Sequence, residues 1–178
     1  MTYISKYESP MGLLTIASDG SSITGLWMDG QKYFAKTLGI DISTDNSLDI
    51  FSKAHAWLDD YFSGKNPDAT SLPLSPKGSE FRQKAWRILL NIPYGGLMTY
   101  GEIANKMSES TGQAASAQAV GGAVGHNPIS IIIPCHRVVG RGGSLTGYAG
   151  GIDKKIRLLE LEKAPMDGLF IPKTGTAL

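Results

Sequence analysis

The chain has 178 residues, of which 42% are hydrophobic and 19% charged, as expected for one sizeable globular domain or two small ones. No apolar run approaches the roughly 20 residues that a membrane-spanning helix needs, and the first residues predict no signal peptide. The single cysteine, Cys135, excludes an internal disulfide and a structural zinc site built on cysteines. We therefore expect a cytoplasmic protein without a structural metal.

The net charge of +1 conceals an uneven distribution along the chain. Residues 1–75 carry five lysines and no arginine against nine acidic residues, a net charge of −4. Residues 76–178 carry 12 lysines and arginines against seven acidic residues, a net charge of +5. An acidic half joined to a basic half indicates that the second half faces a polyanion, with chance asymmetry as the open alternative.

The first half of the sequence predicts a small sheet followed by a helix. Residues 3–7, 13–17 and 23–28 are rich in β-branched and aromatic residues and are separated by turn sequences, which is typical of an antiparallel meander. Residues 47–64 then place apolar side chains at helical spacing. Residues 65–79 are rich in Pro and Ser and predict a linker between two domains.

The second half predicts short helices joined by short turns. They cover residues 79–93, 99–107 and 116–128, and a final amphipathic helix covers 153–164. Ser79, the Thr99–Glu102 pair and Ser116 are the predicted N-caps. The β-branched run that follows the third helix, residues 129–133, predicts a strand. Helices in this arrangement followed by a strand are typical of a winged helix-turn-helix.

The predicted helix at 116–128 has a face of very small residues: Ala117, Ala119, Gly121, Gly122 and Ala123. Two adjacent glycines cost a helix roughly 1 kcal/mol each relative to alanine, so the close approach that they allow must bring a gain. One explanation is tight packing against another helix. The other is a backbone that lies against a nucleic-acid groove too narrow for large side chains.

The stretch ISIIIPCHRVVG, residues 129–140, contains the only cysteine. Pro134 is expected to end the strand and to force a turn at Cys135. A nearby imidazole or positive field would lower the thiol pKa from about 8.5 until thiolate is populated. Adjacent side chains on an extended backbone point to opposite faces, so contact between Cys135 and His136 needs a turn or an intervening water. The pattern favours an activated nucleophile, and a buried core cysteine is the alternative.

The sequence resembles the methylated-DNA–protein-cysteine methyltransferases, which are the O6-alkylguanine-DNA alkyltransferases. The resemblance is carried by IPCHRVVG, by TYGEIA at 99–104, by AVGGAVGHNP at 119–128 and by the GYAGG…K…LLELE pattern at 147–162. The resemblance runs in register over residues 79–164, and the N-terminal part shows a compatible pattern. It implies an α/β (α+β) fold with two domains. A ribonuclease H-like α/β domain and its linker would occupy residues 1–75, and a winged helix-turn-helix domain residues 76–178.

The resemblance implies a DNA-repair activity without a cofactor, because the thiolate itself takes the alkyl group. Cys135 would accept the methyl group of O6-methylguanine, or of O4-methylthymine, once and irreversibly. The base would be flipped out of double-stranded DNA through the minor groove by a monomeric protein. His136 and Glu162 would form a water-bridged proton relay, and Asn127 would tie the helix-turn-helix to the active-site turn. Tyr100 would donate a hydrogen bond to the departing guanine.

The resemblance also implies contacts with the base and the DNA. Tyr148 and the N–H of Ala149 would close the base pocket, and the carbonyls of Cys135 and Val138 would accept from the exocyclic amine of guanine. Gln118 stands where the family inserts an arginine finger, and glutamine lacks the charge and the stacking plane of guanidinium. The remaining expected DNA contacts are Ala119, Gly122, Arg137 and Lys155.

Simpler explanations stay open for several of these residues. Glu162 is also explained as a solvated carboxylate at a helix end, Tyr100 as a packing aromatic, Asn127 as the turn residue before Pro128, and Lys155 as a surface lysine. Three other functions remain alternatives: a Cys–His hydrolase or transferase with turnover, a non-enzymatic alkylated-base binder, and a winged-helix regulator. The cysteine argues against the binder, and the small face of the 116–128 helix argues against the regulator.

Overall fold

The structure is a computed structural model that describes residues 1–45 and 47–173, so the last five residues of the predicted irregular tail lie outside the described residues. In the described part, no helix is both long and apolar enough to span a bilayer. The chain divides into two compact units. Met1–Lys77 and Pro128–Ile132 form the first, and the rest of the described chain from Gly78 onward forms the second.

The first unit is built on a four-stranded sheet with strand order β3-β2-β1-β4. The strands are β1 (Thr2–Ser9), β2 (Gly12–Ser18), β3 (Ile23–Met28) and β4 (Ile42–Ser43). The first three pair antiparallel, which confirms the predicted meander, and the short β4 adds a parallel edge to β1 that the sequence did not indicate.

The predicted helix of the first half is confirmed as α1 (Asp49–Phe62), which contacts β1 and β2. Its buried positions recur three or four residues apart, so one stripe faces the sheet. They are Ile50, Phe51, Ala54, Trp57, Leu58 and Tyr61. Burial of each large side chain contributes about 1.5–3 kcal/mol, which makes this stripe the main stabilising contact of the helix.

The predicted linker at 65–79 is only partly irregular. It contains a 3-10 turn at Ala69–Ser71, and its next residues pair with β3, where the N–H of Ile23 donates to Pro73 at 2.8 Å. The N–H of Ser75 donates back to the carbonyl of Ile23 at 2.8 Å. The segment therefore completes the first unit by covering the edge of β3 before the chain enters the second unit.

The strand predicted at 129–133 is wrong. Only Ile129 pairs with a strand, at Leu26 of β3, and the chain then turns repeatedly. Ile131 has a left-handed φ of 71°, which an extended strand cannot contain. The N–H of Cys135 donates to the carbonyl of Ile133 at 2.8 Å, a further tight turn. The β-branched residues are buried, and burial alone explains their apolar character.

The second unit contains four α-helices in its described part, at the places that the sequence predicts. They are α2 (Glu80–Leu90), α3 (Tyr100–Thr111), α4 (Ala117–Gly125) and α5 (Ile152–Leu161). A short parallel pair joins β5 (Met98–Thr99) to β6 (Val138–Val139), directly after the cysteine turn.

The predicted N-caps of α2, α3 and α4 are confirmed. The Ser79 side chain accepts from the N–H of Arg82, and Thr99 and Glu102 form a complete capping box. The Ser116 hydroxyl accepts from the N–H of Ala119 at 3.1 Å. A cap of this kind contributes about 1 kcal/mol. The caps at Thr99 and Ser116 fix where α3 and α4, the helices beside the candidate site, begin.

Candidate functional site

Cys135 lies on a 3-10 turn, Cys135–Arg137, that follows Pro134. Asn127 holds this turn with one amide group. Its Nδ2 donates to the carbonyl of Ile133 at 2.8 Å and to the Sγ of Cys135 at 3.1 Å. Asn127 and Cys135 are both only 4% exposed, so the amide does more than occupy the turn before Pro128.

Burial raises the pKa of Cys135 above its ordinary value, so the expected lowering of the thiol pKa is wrong for the free protein. The hydrogen bond from Asn127 and the charge of Lys155 lower it, but they offset only part of the effect of burial. The thiol therefore stays protonated at neutral pH. A base must remove its proton when a substrate is in place.

The next two residues form a buried ion-paired cluster with Glu162 at the end of α5. The Nε2 of His136 lies 2.7 Å from the Oε1 of Glu162. The Nε and Nη2 of Arg137 donate to the two oxygens of the same carboxylate at 2.8 and 3.0 Å. The 3-10 turn places both side chains on the side of α5, which an extended backbone could not do.

Glu162 is a fully bonded carboxylate. It also accepts the backbone N–H of Gly95 at 3.0 Å and is only 3% exposed, so the explanation as a solvated helix-end residue is wrong. Burial acts to raise the pKa of Glu162, but the hydrogen bonds and charges of His136 and Arg137 outweigh it and hold the pKa well below its usual range. Glu162 is therefore ionised.

Because Glu162 is ionised, the Nε2 of His136 carries the proton that it donates to the carboxylate. The other nitrogen, Nδ1, then is the basic atom of the ring. Burial lowers the pKa of His136, and Glu162 raises it only in part, so the imidazole is neutral at pH 7. A neutral imidazole fixed in one tautomer by a carboxylate is equipped to accept a thiol proton.

The lowered pKa of His136 predicts that the protein loses stability in mild acid. Unfolded histidine binds a proton below pH 6.5, whereas the folded His136 resists it, so the free energy of unfolding falls as the pH drops below 6.5. The slope approaches about 1.4 kcal/mol per pH unit. Burial also lowers the pKa of the half-buried His55. Denaturant titrations between pH 8 and 5 measure the free energy of unfolding as a function of pH. His136→Gln should reduce the slope of this dependence more than His55→Gln does. Equal reductions would contradict this prediction.

A second group of polar contacts surrounds Tyr100, at the start of α3. Its hydroxyl donates to the carbonyls of Thr146 and Gly147, at 3.1 and 3.2 Å. Burial raises the pKa of Tyr100, as does the negative charge that Cys135 carries when ionised, so the phenol keeps its proton. Tyr100 is thus a buried hydrogen-bond donor near the thiol as well as a packing aromatic.

Lys155 is not the surface lysine of the simpler explanation. Its side chain is fully buried, and its Nζ donates to the carbonyls of Val138 and Thr146. Burial lowers its pKa to about 8, with Cys135 acting in the opposite direction. The ammonium joins the strand after the cysteine turn to the loop that carries the acceptors of Tyr100, and it has no surface exposed to solvent.

Arg137 is likewise unavailable for the predicted DNA contact. Its guanidinium is paired with Glu162, and its Nη1 donates to the carbonyl of Ile92 at 2.6 Å. The guanidinium also lies over the ring of Tyr94, 5.7 Å from the ring centre. Arg137 is therefore the counter-ion of the Glu162 carboxylate. The sequence does not reveal this pairing, because the two residues are 25 positions apart.

The predicted base-closing residues lie beside this cluster. Tyr148 is buried, and its ring meets that of His136 edge-on with centroids 6.4 Å apart. Ala149 is half-buried, and Val138 is fully buried with its carbonyl bonded to Lys155. None of these three residues is among those that line the pocket described next, and their roles toward a base remain predictions.

A pocket of about 580 Å³ opens between α3, α4 and the loop that follows β6. Of the predicted residues, Tyr100, Gln118 and Gly122 line it. The exposed face of α4 also carries Ala119, whereas the opposite face, with Val120 and Ala123, is buried. A side chain at Gly122 would meet no atom within 4 Å, so tight helix packing does not explain that glycine.

Several residues of the site were missed by sequence reasoning. Gly95 and Ile92 contribute only backbone groups, and Thr146 and Gly147 contribute only carbonyls. Backbone atoms leave no signal in residue identity. The one available clue was the PYGG sequence at 93–96, whose turn presents the N–H of Gly95 to Glu162.

The fold and this arrangement define a mixed α+β protein with a ribonuclease-like N-terminal part and a DNA-binding C-terminal part. The family model for the ribonuclease-like domain of 6-O-methylguanine DNA methyltransferase matches residues 2–76. The model for its DNA-binding domain matches residues 80–164. The chain belongs to the methylated-DNA–protein-cysteine methyltransferase family.

Relatives of this family are similar over nearly the whole chain. The Haemophilus influenzae methylated-DNA–protein-cysteine methyltransferase is 42% identical over 163 residues, 92% of this chain and 87% of the relative. The Mycobacterium tuberculosis protein of the same name is 44% identical over 169 residues, 94% of this chain and 97% of the relative.

Solved structures are also similar to this chain over nearly its whole length. The crystal structure of Mycobacterium tuberculosis OGT in complex with DNA has a TM-score of 0.78 at 44% identity, covering 93% of this chain and 96% of that chain. An O6-methylguanine DNA methyltransferase from Methanococcus jannaschii has a TM-score of 0.64 at 28% identity, covering 97% and 99% of the two chains.

Proposed function

We propose that this protein repairs alkylated DNA by transferring the O6-methyl group of guanine to Cys135, once per molecule. The observation that carries the proposal is the arrangement at the thiol: Asn127 donates to the sulfur, and the adjacent His136 is bound to an ionised, buried Glu162. Membership of the family, with relatives that carry the transferase name, supports the same activity.

The chemistry follows from the protonation states. The thiol proton passes through one bridging water to the Nδ1 of His136, and the Glu162 carboxylate stabilises the imidazolium that forms. The sulfur attacks the methyl carbon, the S–C bond forms, and the C–O6 bond breaks with its electron pair on the guanine. The guanine then gains a proton, and Cys135 becomes S-methylcysteine. The hydrogen bond from Asn127 stabilises negative charge on the sulfur during the transfer.

Tyr100 would assist the leaving guanine by exchanging hydrogen-bond partners. Its single hydroxyl proton is held by the carbonyls of Thr146 and Gly147 in the free protein. A guanine acceptor in the pocket would take this proton as a hydrogen bond, and burial keeps the phenol protonated for that purpose. Donation to the base reduces the negative charge that accumulates when the C–O6 bond breaks.

We further propose that the protein binds double-stranded DNA as a monomer. In this complex α4 approaches the minor groove, and the damaged base is flipped into the pocket. Ala119 and Gly122 are exposed and small, so they would let the backbone of α4 come close to the walls of a narrow groove. Flipping costs a few kcal/mol. Gln118 lines the pocket, which supports the proposal that its side chain fills the space left by the base.

Mass spectrometry tests the proposal directly. The protein is incubated with a duplex that carries O6-methylguanine labelled with deuterium in the methyl group, and its peptides are then analysed. The label is expected on Cys135 with one methyl group removed per protein molecule. Cys135→Ala should bind the same duplex and leave the label on guanine. Removal of more than one methyl group per molecule, or label on another residue, would overturn the proposal.

A further inference from the structure

The two cations for which the family resemblance implies DNA contacts are paired with groups inside the protein. Arg137 is paired with Glu162, and Lys155 is buried against two carbonyls. The helix α4, whose face lines the pocket, has no charged residue in its sequence AQAVGGAVG. A polyanion that approaches this pocket therefore needs a cation from another element.

Arg141 is the charged residue among those that line the pocket. It is exposed, and it lies on the loop that faces Gln118 and the open face of α4. Across residues 1–45 and 47–173, its side chain makes no hydrogen bond or ion pair. The other arginine of this region, Arg137, is three-fold bonded, so the two arginines differ sharply in availability.

The loop that carries Arg141 is fastened at both ends. The N–H of Gly140 donates to the carbonyl of Ser144 at 2.7 Å, which closes the loop on itself. The N–H of Leu145 donates to Phe170 at 2.9 Å, and Phe170 donates back to Gly143 at 3.1 Å. Leu145 also packs into a buried apolar cluster with Val139 and Leu159. Because the loop backbone is already fixed, binding of an anion by Arg141 costs the ordering of its side chain and not that of the loop.

We infer that Arg141 binds a DNA phosphate next to the nucleotide that enters the pocket, and so supplies the positive charge that Gln118 lacks on the other wall. This inference rests on the proposed function. Guanidinium matches the geometry of a phosphate with two parallel hydrogen bonds, and it stays charged at every physiological pH. The contact positions the strand without reading its sequence.

Salt dependence of binding to duplex DNA tests the phosphate contact. Arg141→Ala is expected to weaken binding roughly tenfold at fixed salt, and to reduce the slope of log K against log salt by about one. The matched control is Arg87→Ala, an exposed arginine on α2 that changes the net charge equally and lies outside the pocket lining. The control should leave the slope unchanged. Equal slopes for the wild type and Arg141→Ala would overturn the inference.

A scan with neutral phosphates locates the contact. Single methylphosphonates are placed in turn on the phosphates that flank O6-methylguanine, and binding is measured for Cys135→Ala, which cannot take the methyl group, with and without Arg141→Ala. One position is expected to weaken binding roughly tenfold when Arg141 is present and to have no effect when it is replaced. If every position has the same effect on both proteins, Arg141 holds no phosphate. Wild-type methyl transfer, measured separately by mass spectrometry, shows whether the proposed function itself has failed.

Discussion

Glu162→Gln is expected to slow methyl transfer by about 100-fold or more and to lower the free energy of unfolding by about 3–5 kcal/mol. The rate falls because a neutral amide no longer stabilises the imidazolium of His136. The stability falls because the substitution leaves the guanidinium of Arg137, only 9% exposed, without its counter-ion. Single-turnover kinetics on methylated duplex and denaturant unfolding measure the two effects.

The two effects of this change can be separated with a double variant. Arg137→Leu combined with Glu162→Leu removes the whole buried ion pair, and apolar replacement of such a pair is often neutral or stabilising. The double variant should therefore regain part of the stability, because the Nε2–H of His136 and the N–H of Gly95 lose their acceptor, and none of the transfer rate. A double variant that repairs DNA at the wild-type rate would show that Glu162 serves only the fold.

The sequence was sufficient where the signal is local. The caps at Ser79, Thr99 and Ser116 depend on side chains within three residues of each other, and all three formed as predicted. The meander of β1 to β3 also depends on short-range alternation and turns. The family resemblance implied which residues would gather at Cys135. In the structure Asn127 contacts Cys135, and the adjacent His136 contacts Glu162.

The sequence was insufficient where one residue type is compatible with two environments. A run of isoleucines at 129–133 predicted a strand, but the left-handed φ of Ile131 and the successive turns show that burial, not strand pairing, selects these residues. The family resemblance implies DNA contacts for Arg137 and Lys155, whereas in the structure both side chains are buried and paired inside the protein. Their partners are a carboxylate 25 residues away and backbone carbonyls, and neither can be identified from composition or spacing.

Gly147→Ala is expected to lower the free energy of unfolding by more than 2 kcal/mol and to slow methyl transfer by about 100-fold. Gly147 has a φ of 81°, and a methyl group there would overlap the hydroxyl oxygen of Tyr100. The hydroxyl would have to leave the carbonyls of Thr146 and Gly147, and with it the proposed donor to guanine would be displaced. Gly112→Ala is the matched control, because its φ of 68° is similarly left-handed and a methyl group would meet no atom within 4 Å. Its cost should be backbone strain alone, about 1 kcal/mol, with the transfer rate unchanged.

The clash can be assigned to the hydroxyl by repeating the substitution in a Tyr100→Phe background. Without the hydroxyl, the nearest ring atom to the new methyl group lies 3.2 Å away, a contact that small shifts can relieve. The stability cost of Gly147→Ala should then fall to about that of Gly112→Ala, whereas the transfer rate should stay low because the phenolic donor is absent. An equal cost of Gly147→Ala in both backgrounds would mean that backbone strain, rather than contact with Tyr100, requires a glycine at this position. The comparison therefore decides whether glycine is required at position 147 by the left-handed backbone of the loop after β6 or by the contact with the Tyr100 hydroxyl.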